Sequence, residues 1–370
     1  MQGYYAGAFI MMLMALTLGG VRSFPLNSAR LNLRKVSRPT STTTLSRLFL
    51  SSSVTDPEME EYANPNNRDD QILSLISADG GLKVTLVTLR NLMNDLSLDQ
   101  NLSPLATRAL GSSFSCASML ASGMDGGQVF QMTMSTDGPL RGSCTIASSD
   151  GGLKGYVGNP TLGDSLTLPE AVGSGTLQIV KNHPSWPRPY NGISEVVSGL
   201  PAEDVAIYLA RSEQRSCAIH SDVRMNGYLC TGAGGYLVEK LPGCDSGPAA
   251  VVEANLEKLG KEMGKEWFVD ELCGGRDLVS VAKSCIGEGI DLKVLDSVSP
   301  RLKCDCSQER FVRSLTLLPK ADIDEIVERG EPVEAKCEFC AKVYRLGPDE
   351  MVKEMEEYKK RREEGAKESQ

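Results

Sequence analysis

Four cysteines in two tight pairs carry the chemistry of this chain. Cys304 and Cys306 stand in the run CDCSQERF, and Cys337 and Cys340 in CEFC. A C-x-x-C turn sets two sulfurs on one side of a knuckle at metal-ligand spacing. A C-x-C does so more tightly, and its thiols can also close into a strained disulfide. Four thiolates held this way are the donor set of a tetrahedral zinc site. The predicted ligands of one Zn2+ per chain are therefore Cys304, Cys306, Cys337 and Cys340. Zinc stabilises the deprotonated sulfur, and the thiolate is the form that oxidants attack. On the residues alone two readings stand: an inert zinc ribbon that staples its module, and a store of reducible sulfur that acts as a switch.

The insert between the pairs is patterned to fold. Ser307 can cap a helix running through Leu318, with Glu309 in its first turn and Phe311, Leu315 and Leu318 on one face. After Pro319, Asp322 can cap a second helix with Ile323, Ile326 and Val327 on one side, which Gly330 ends. Val333 and Ala335 then alternate with charged residues as a short strand leading into Cys337.

These stretches, CDCSQERFVRSLTLLP and DIDEIVERGEPVEAKCEFCAKVYRL, resemble the heat-shock protein 33 family of redox-regulated holdase chaperones. The likeness extends upstream. It includes DGPL at residues 137–140, KGYVGNP with Lys154 where the family has Arg, SEQ at residues 212–214, and AGGYLVEKLPG with Glu239 where Gln is usual. It covers roughly residues 70–346. The resemblance implies an α+β fold: a large N-terminal α/β core with antiparallel sheet, a helical linker and a small C-terminal redox-switch domain that binds zinc through four cysteines. It implies one zinc bound in the reduced, inactive state. Oxidation would pair Cys304 with Cys306 and Cys337 with Cys340 and release the metal. Module and linker would then unfold, and the chain, as a homodimer, would hold unfolded client proteins without ATP.

Composition agrees with a large core and a small module in 370 residues. A net charge of −9 argues against a nucleic-acid binder of the basic type. Eleven cysteines in so long a chain are not a secreted disulfide framework, and two histidines, His183 and His220, leave little for His-based chemistry. Residues 1–55 read as a bipartite leader. An apolar run at residues 6–20 is too short for a comfortable span, and a Ser/Thr/Arg-rich stretch without acidic residues follows it. Phe24 stands where leaders directed to secondary plastids commonly carry Phe, so the expected destination is the plastid stroma of an alga. Removing six basic residues with the leader takes the charge from −9 to about −15. No membrane span is expected in the mature chain.

Residues 56–69 read as a polar linker, 70–247 as the core, 248–302 as the helical linker, 303–346 as the zinc module and 347–370 as a charged tail that frays in solvent. In the core, residues 82–87 suggest a strand and 105–120, rich in Ala, Leu and Ser, a tightly packed helix burying Cys116. Strands at 129–134, 143–147 and 153–157 form a meander with turns at STDGPL and SSDGG. A strand is expected within 173–182 and a helix over 202–211, with Glu203, Asp204 and Glu213 as solvated or capping carboxylates rather than catalytic ones. GGLKGYVGNP lacks the Lys-Ser/Thr of a phosphate loop, and GAGGYLVEKLPG has no helix behind its glycines, so neither reads as a nucleotide site. Residues 249–272 are amphipathic, with Val252, Leu256, Leu259, Met263 and Trp267 on one face, and Gly260 and Gly264 loosening the helix. Cys273 and Cys285 read as structural or surface thiols. No role is assigned to Cys116, Cys144, Cys217, Cys230, Cys244, Cys273 or Cys285. A thiol oxidoreductase is the remaining alternative, but CEFC does not open a helix as a thioredoxin-like motif would.

Overall fold

The computed structural model describes residues 69–242 and 246–368. The leader and almost all of the expected polar linker lie outside the described residues, as does Cys244. The described residues fall into two units, divided along the chain between Cys304 and Asp305.

The first unit is organised on two sheets. Its elements in order are β1 (Gln71–Ser77), β2 (Leu82–Thr88), α1 (Arg90–Gln100), α2 (Pro104–Ala121), β3 (Val129–Thr136), β4 (Ser143–Ser148) and β5 (Gly152–Val157). There follow α3 (Leu168–Val172), β6 (Gly175–Asn182), β7 (Tyr190–Glu195), α4 (Pro201–Ser212), β8 (Cys217–Asn226) and β9 (Leu229–Lys240). Then come α5 (Ser246–Met263), α6 (Trp267–Cys273), α7 (Leu278–Val281) running into a π-helical turn at Ala282–Ile286, β10 (Leu292–Val298) and β11 (Arg301–Leu302). One sheet has the order β10-β1-β2-β9-β8 and is antiparallel throughout. The other has the order β11-β5-β4-β3-β6-β7, antiparallel except where β11 runs parallel to β5.

Helix α2 packs against strands of both sheets. Ser103 caps it by accepting from the Ala106 N–H, and Pro104 opens its first turn. Sixteen of its 18 residues are buried, which small side chains make possible. Three of its buried serines satisfy their hydroxyls on their own helix: Ser113 donates to the Ala109 carbonyl, Ser115 to Gly111 and Ser118 to Phe114, while Ser112 pairs with the Ser221 hydroxyl on β8. The expected helix is thus present and Cys116 is buried in it.

The second face of the five-stranded sheet is covered differently. Leu73, Leu75, Leu82, Val84, Leu86, Tyr236 and Val238 pack beneath Val252, Trp267, Phe268, Leu278, Val281 and Ile286 from α5, α6 and the α7 region. The amphipathic run read as one helix is broken at Gly264, whose φ of +86° belongs to the left-handed region that glycine tolerates. The break turns Met263 out to 44% exposure while Trp267 stays buried. Residues 292–302, expected to be helical, are strands: β10 joins β1 and β11 joins β5.

The second unit holds α8 (Gln308–Leu315), α9 (Lys320–Arg329), the antiparallel pair β12 (Val333–Lys336) and β13 (Val343–Leu346), and α10 (Pro348–Glu368). Its core is Phe311, Val312, Leu315, Leu318, Val333, Ala335, Tyr344 and Leu346, together with Met351 and Met355. The solvated tail is therefore corrected: α10 supplies two buried methionines to this core. Helix α8 stops at Leu315, short of Leu318. In α9 the cap position is Pro319 and Asp322 lies in the first turn, Gly330 ends the helix as expected, and Val327 points to solvent.

Candidate metal and redox centre

Local structure brings the two cysteine pairs together. Cys304 and Cys306 lie in the irregular segment before α8, where Ser307 caps the helix by accepting from the Arg310 N–H at 3.2 Å. Cys337 and Cys340 form the knuckle between β12 and β13. The Ala341 N–H donates to the Cys337 carbonyl at 2.8 Å, and the Cys337 N–H donates to the Lys342 carbonyl at 2.9 Å. Ala341 takes a φ of +58°, which turns the chain back into β13. The hairpin register Lys336↔Val343 fixes where the knuckle opens.

One sulfur from each of Cys304, Cys306, Cys337 and Cys340 lies within 4.8 Å of every other, so the group could hold a metal ion. The Sγ atoms of Cys306 and Cys340 are 3.3 Å apart, so the cluster joins the two pairs across the insert. Cys337 is buried and the other three are half-buried. The Tyr344 hydroxyl donates to Cys306 Sγ at 3.1 Å. Burial, and then the cysteines around it, push the Tyr344 hydroxyl well above its ordinary pKa, so it stays a donor. Burial and then the Cys337 thiol likewise raise the Glu338 carboxyl.

The other described cysteines are buried or, for Cys217 and Cys273, partly buried. Burial pushes the thiols of Cys116 and Cys230 up to about 12 and raises Cys217 and Cys273 as well. Cys144 and Cys285 are buried. Cys273 faces Gly232, where a Cβ would come within 2.8 Å of its sulfur, and at Gly234 a Cβ would meet a β2 carbonyl as well as Leu272 and Phe268. The glycines of GAGGYLVEK therefore let α6 lie on β9. The carboxylates considered earlier are structural too. Asp204 is fully buried, a correction to the solvated helix face, and accepts the N–H groups of Val197, Ser198 and Gly199. Glu213 pairs with Lys181 and Arg215.

A family model described as Hsp33 protein matches residues 70–347. The chain belongs to the Hsp33 family. It is 32% identical over 292 residues to the 33 kDa chaperonin of Nostoc sp., covering 76% of this chain and 95% of that relative. To the 33 kDa chaperonin of Clostridium perfringens it is 29% identical over 301 residues, with 79% and 93% covered. The crystal structure of the 33 kDa chaperonin (heat shock protein 33 homolog) of Thermotoga maritima has the same fold, with a TM-score of 0.70 at 22% identity, covering 78% of this chain and 98% of that one. The α+β architecture with antiparallel sheets and a C-terminal four-cysteine cluster is that of the Hsp33 family. Helix α10 lies beyond the residues that the family model matches.

Proposed function

We propose that this Hsp33 chain is a redox-regulated, ATP-independent holdase, off when reduced and metal-bound and switched on by oxidation of its four clustered cysteines. The observation that carries this is the cluster itself: two pairs from either end of a small insert whose sulfurs converge within 4.8 Å. Four thiolates at about 2.3 Å from a tetrahedral zinc stand about 3.8 Å from one another, so the donor set fits one Zn2+ held by Cys304, Cys306, Cys337 and Cys340. Bound zinc would supply folding energy to the module and keep the sulfurs as thiolates.

Oxidation of Cys304 with Cys306, and of Cys337 with Cys340, forms one S–S bond per pair. In forming each bond a pair of thiolates gives up two electrons to an oxidant such as hypochlorous acid, which takes one proton from solvent and leaves as chloride and water. No sulfur then remains as a thiolate donor. The surface to be uncovered is the apolar sheet face under α5, α6 and α7, which becomes a site for unfolded clients. The division into core 70–247, linker 248–302 and module 303–346 follows this reading, with α10 added to the module. The active form is read as a homodimer that binds neither nucleic acid nor membrane. Among the described residues no helix is long and apolar enough to cross a membrane. The composition of residues 1–55 supports delivery to a plastid. The function is that of a chaperone and assigns the chain no catalytic residue.

The test is light scattering from a heat-unfolding client without ATP, with the protein either reduced and zinc-loaded or treated with hypochlorous acid, and released zinc measured in the same sample. Suppression by the oxidised form alone, with about one zinc released per chain, is the expected result. Equal behaviour of the two forms, or zinc retained after oxidation, overturns the switch.

A further inference from the structure

Strand β10 is held on its sheet in an unusual way. It forms the edge beside β1, with Ile72↔Val298, Leu73↔Ser297, Ser74↔Asp296, Leu75↔Val294, Ile76↔Lys293 and Ser77↔Leu292 as partners. Only Leu292 is buried. Lys293, Val294, Leu295, Asp296 and Ser297 are exposed in succession, so both faces of the strand see solvent there. Val294 is 49% and Leu295 55% exposed. The register slips between Ser74 and Leu75, leaving Leu295 as the extra residue of a bulge. Backbone pairing therefore holds most of β10, with little side-chain burial to add to it. A bulge, a lysine and an aspartate are the devices by which proteins blunt a sheet edge.

The strand beneath is the opposite. β1 reads QILSLIS, with no charge and no proline, and Ile72, Leu73 and Leu75 are buried. Stripped of β10, it would present a bare row of backbone donors and acceptors along an uncharged apolar strand, a ready template for pairing. β10 is also tied by sequence to the switch. It leads into β11, whose Arg301 pairs with Asp150 as does Lys303 just after it, and Cys304 follows.

We propose that β10 is a detachable cover and that the uncovered edge of β1 (Gln71–Ser77) binds an extended segment of an unfolded client by antiparallel strand addition. The occupant is argued from the strand already seated there, an extended segment held by main-chain bonds with alternate side chains free to vary. Such a site reads backbone more than side chains, which suits clients with no common sequence. The proposal rests on the holdase reading and names one surface that performs it.

Hydrogen–deuterium exchange on the full chain tests it, beside the scattering assay on the same samples. In the reduced protein the β1 amides aimed at β10 are protected. After oxidation they lose protection, while those paired with β2 keep it. Adding client restores protection to β1 but not to residues 292–298. A fluorescent peptide with the β10 sequence, LKVLDSV, binds the oxidised protein only, and client competes with it. β1 amides that stay protected after oxidation overturn the proposal, as does client that suppresses scattering while β1 stays open. Client-free protection of β1 that grows with protein concentration assigns the edge to a second copy and overturns the client as occupant. If scattering is not suppressed but β1 opens and captures the peptide, the holdase reading fails and the strand-exchange site stands.

Discussion

The five-stranded sheet is sealed on its two faces by different kinds of cover. On one face lies α2, a single 18-residue helix, capped and almost wholly buried. On the other lie α5, also 18 residues long, and the shorter α6, α7 and a π-helical turn, with breaks at Gly264 and at residues 274–277. The second cover buries large aromatic groups, with Tyr236, Trp267 and Phe268 ringed at centroid distances of 5.6–5.7 Å. Its apolar contact is therefore substantial, but it is divided among separate helical segments. Arg224 clamps α6 through Glu266 and Asp270, at a partly exposed site where solvent screens the pairing. One sheet thus carries one cover made of a single buried helix and one made of separate segments, and in the proposed switch it is the segmented cover that undocks.

The largest expected effect sharpens the contrast between units. A thiolate-competing zinc chelator should remove on the order of 10 kcal/mol of metal-linked folding energy from the module. Proteolysis should then cut within residues 305–368 while α2 and its strands stay intact, and loss of both together would erase the distinction. Next, Phe114→Ala, in α2, and Trp267→Ala, in α6, should each remove about 3–5 kcal/mol of packing. The first should lower the main melting transition of the core. The second should leave that transition nearly unchanged and let the reduced protein bind an apolar dye. A third change acts on the removable cover alone. Gly260 sits inside α5 with open space where a Cβ would go, so Gly260→Ala should add about 0.5–1 kcal/mol of helix stability. It should raise the oxidant dose needed for dye binding.

The smallest effect is a pH dependence confined to the same face. His220 on β8 stacks on Tyr236 at 5.6 Å, and its buried Nε2 has no hydrogen-bond partner. Burial holds its pKa below the ordinary value of about 6.5. The charged groups acting on it are Asp222, Glu203, Lys265 and Glu266, and burial outweighs them. A depressed folded-state pKa means the neutral ring favours the docked state above pH about 6.5, and that contribution is lost as pH falls through the folded value. Exchange protection of α6 should weaken over that range in the native protein and not in His220→Gln, with α2 unaffected in both.

How much of this was legible in the sequence follows from where each signal lives. The cysteine knuckles were legible because metal chemistry fixes both residue type and spacing. The β3–β5 meander was legible because its turns carry the DG pairs that reverse a chain. β10 was not, because its partner is far along the chain, as the Gln71 to Ser297 side-chain bond across 226 residues shows. An edge strand exposed on both faces also has no alternation to read. Met351 and Met355 sit at helical spacing in a highly charged run, and nothing local distinguishes a stripe that packs from one that faces water. Asp204 looks like any acidic residue in a first helical turn, and only the folded loop aims three backbone N–H groups at it.

Helix α10 bears on how the module is made. Its Met351 and Met355 close a core that also holds Phe311 and Tyr344, yet they follow both cysteine pairs in the chain. On a translating ribosome all four sulfurs leave the exit tunnel before the side chains that shelter their neighbourhood. Each newborn copy therefore passes through an interval in which its thiols are out and its core is still open. If these sulfurs are the proposed switch, that interval leaves them less sheltered than they are in the finished module.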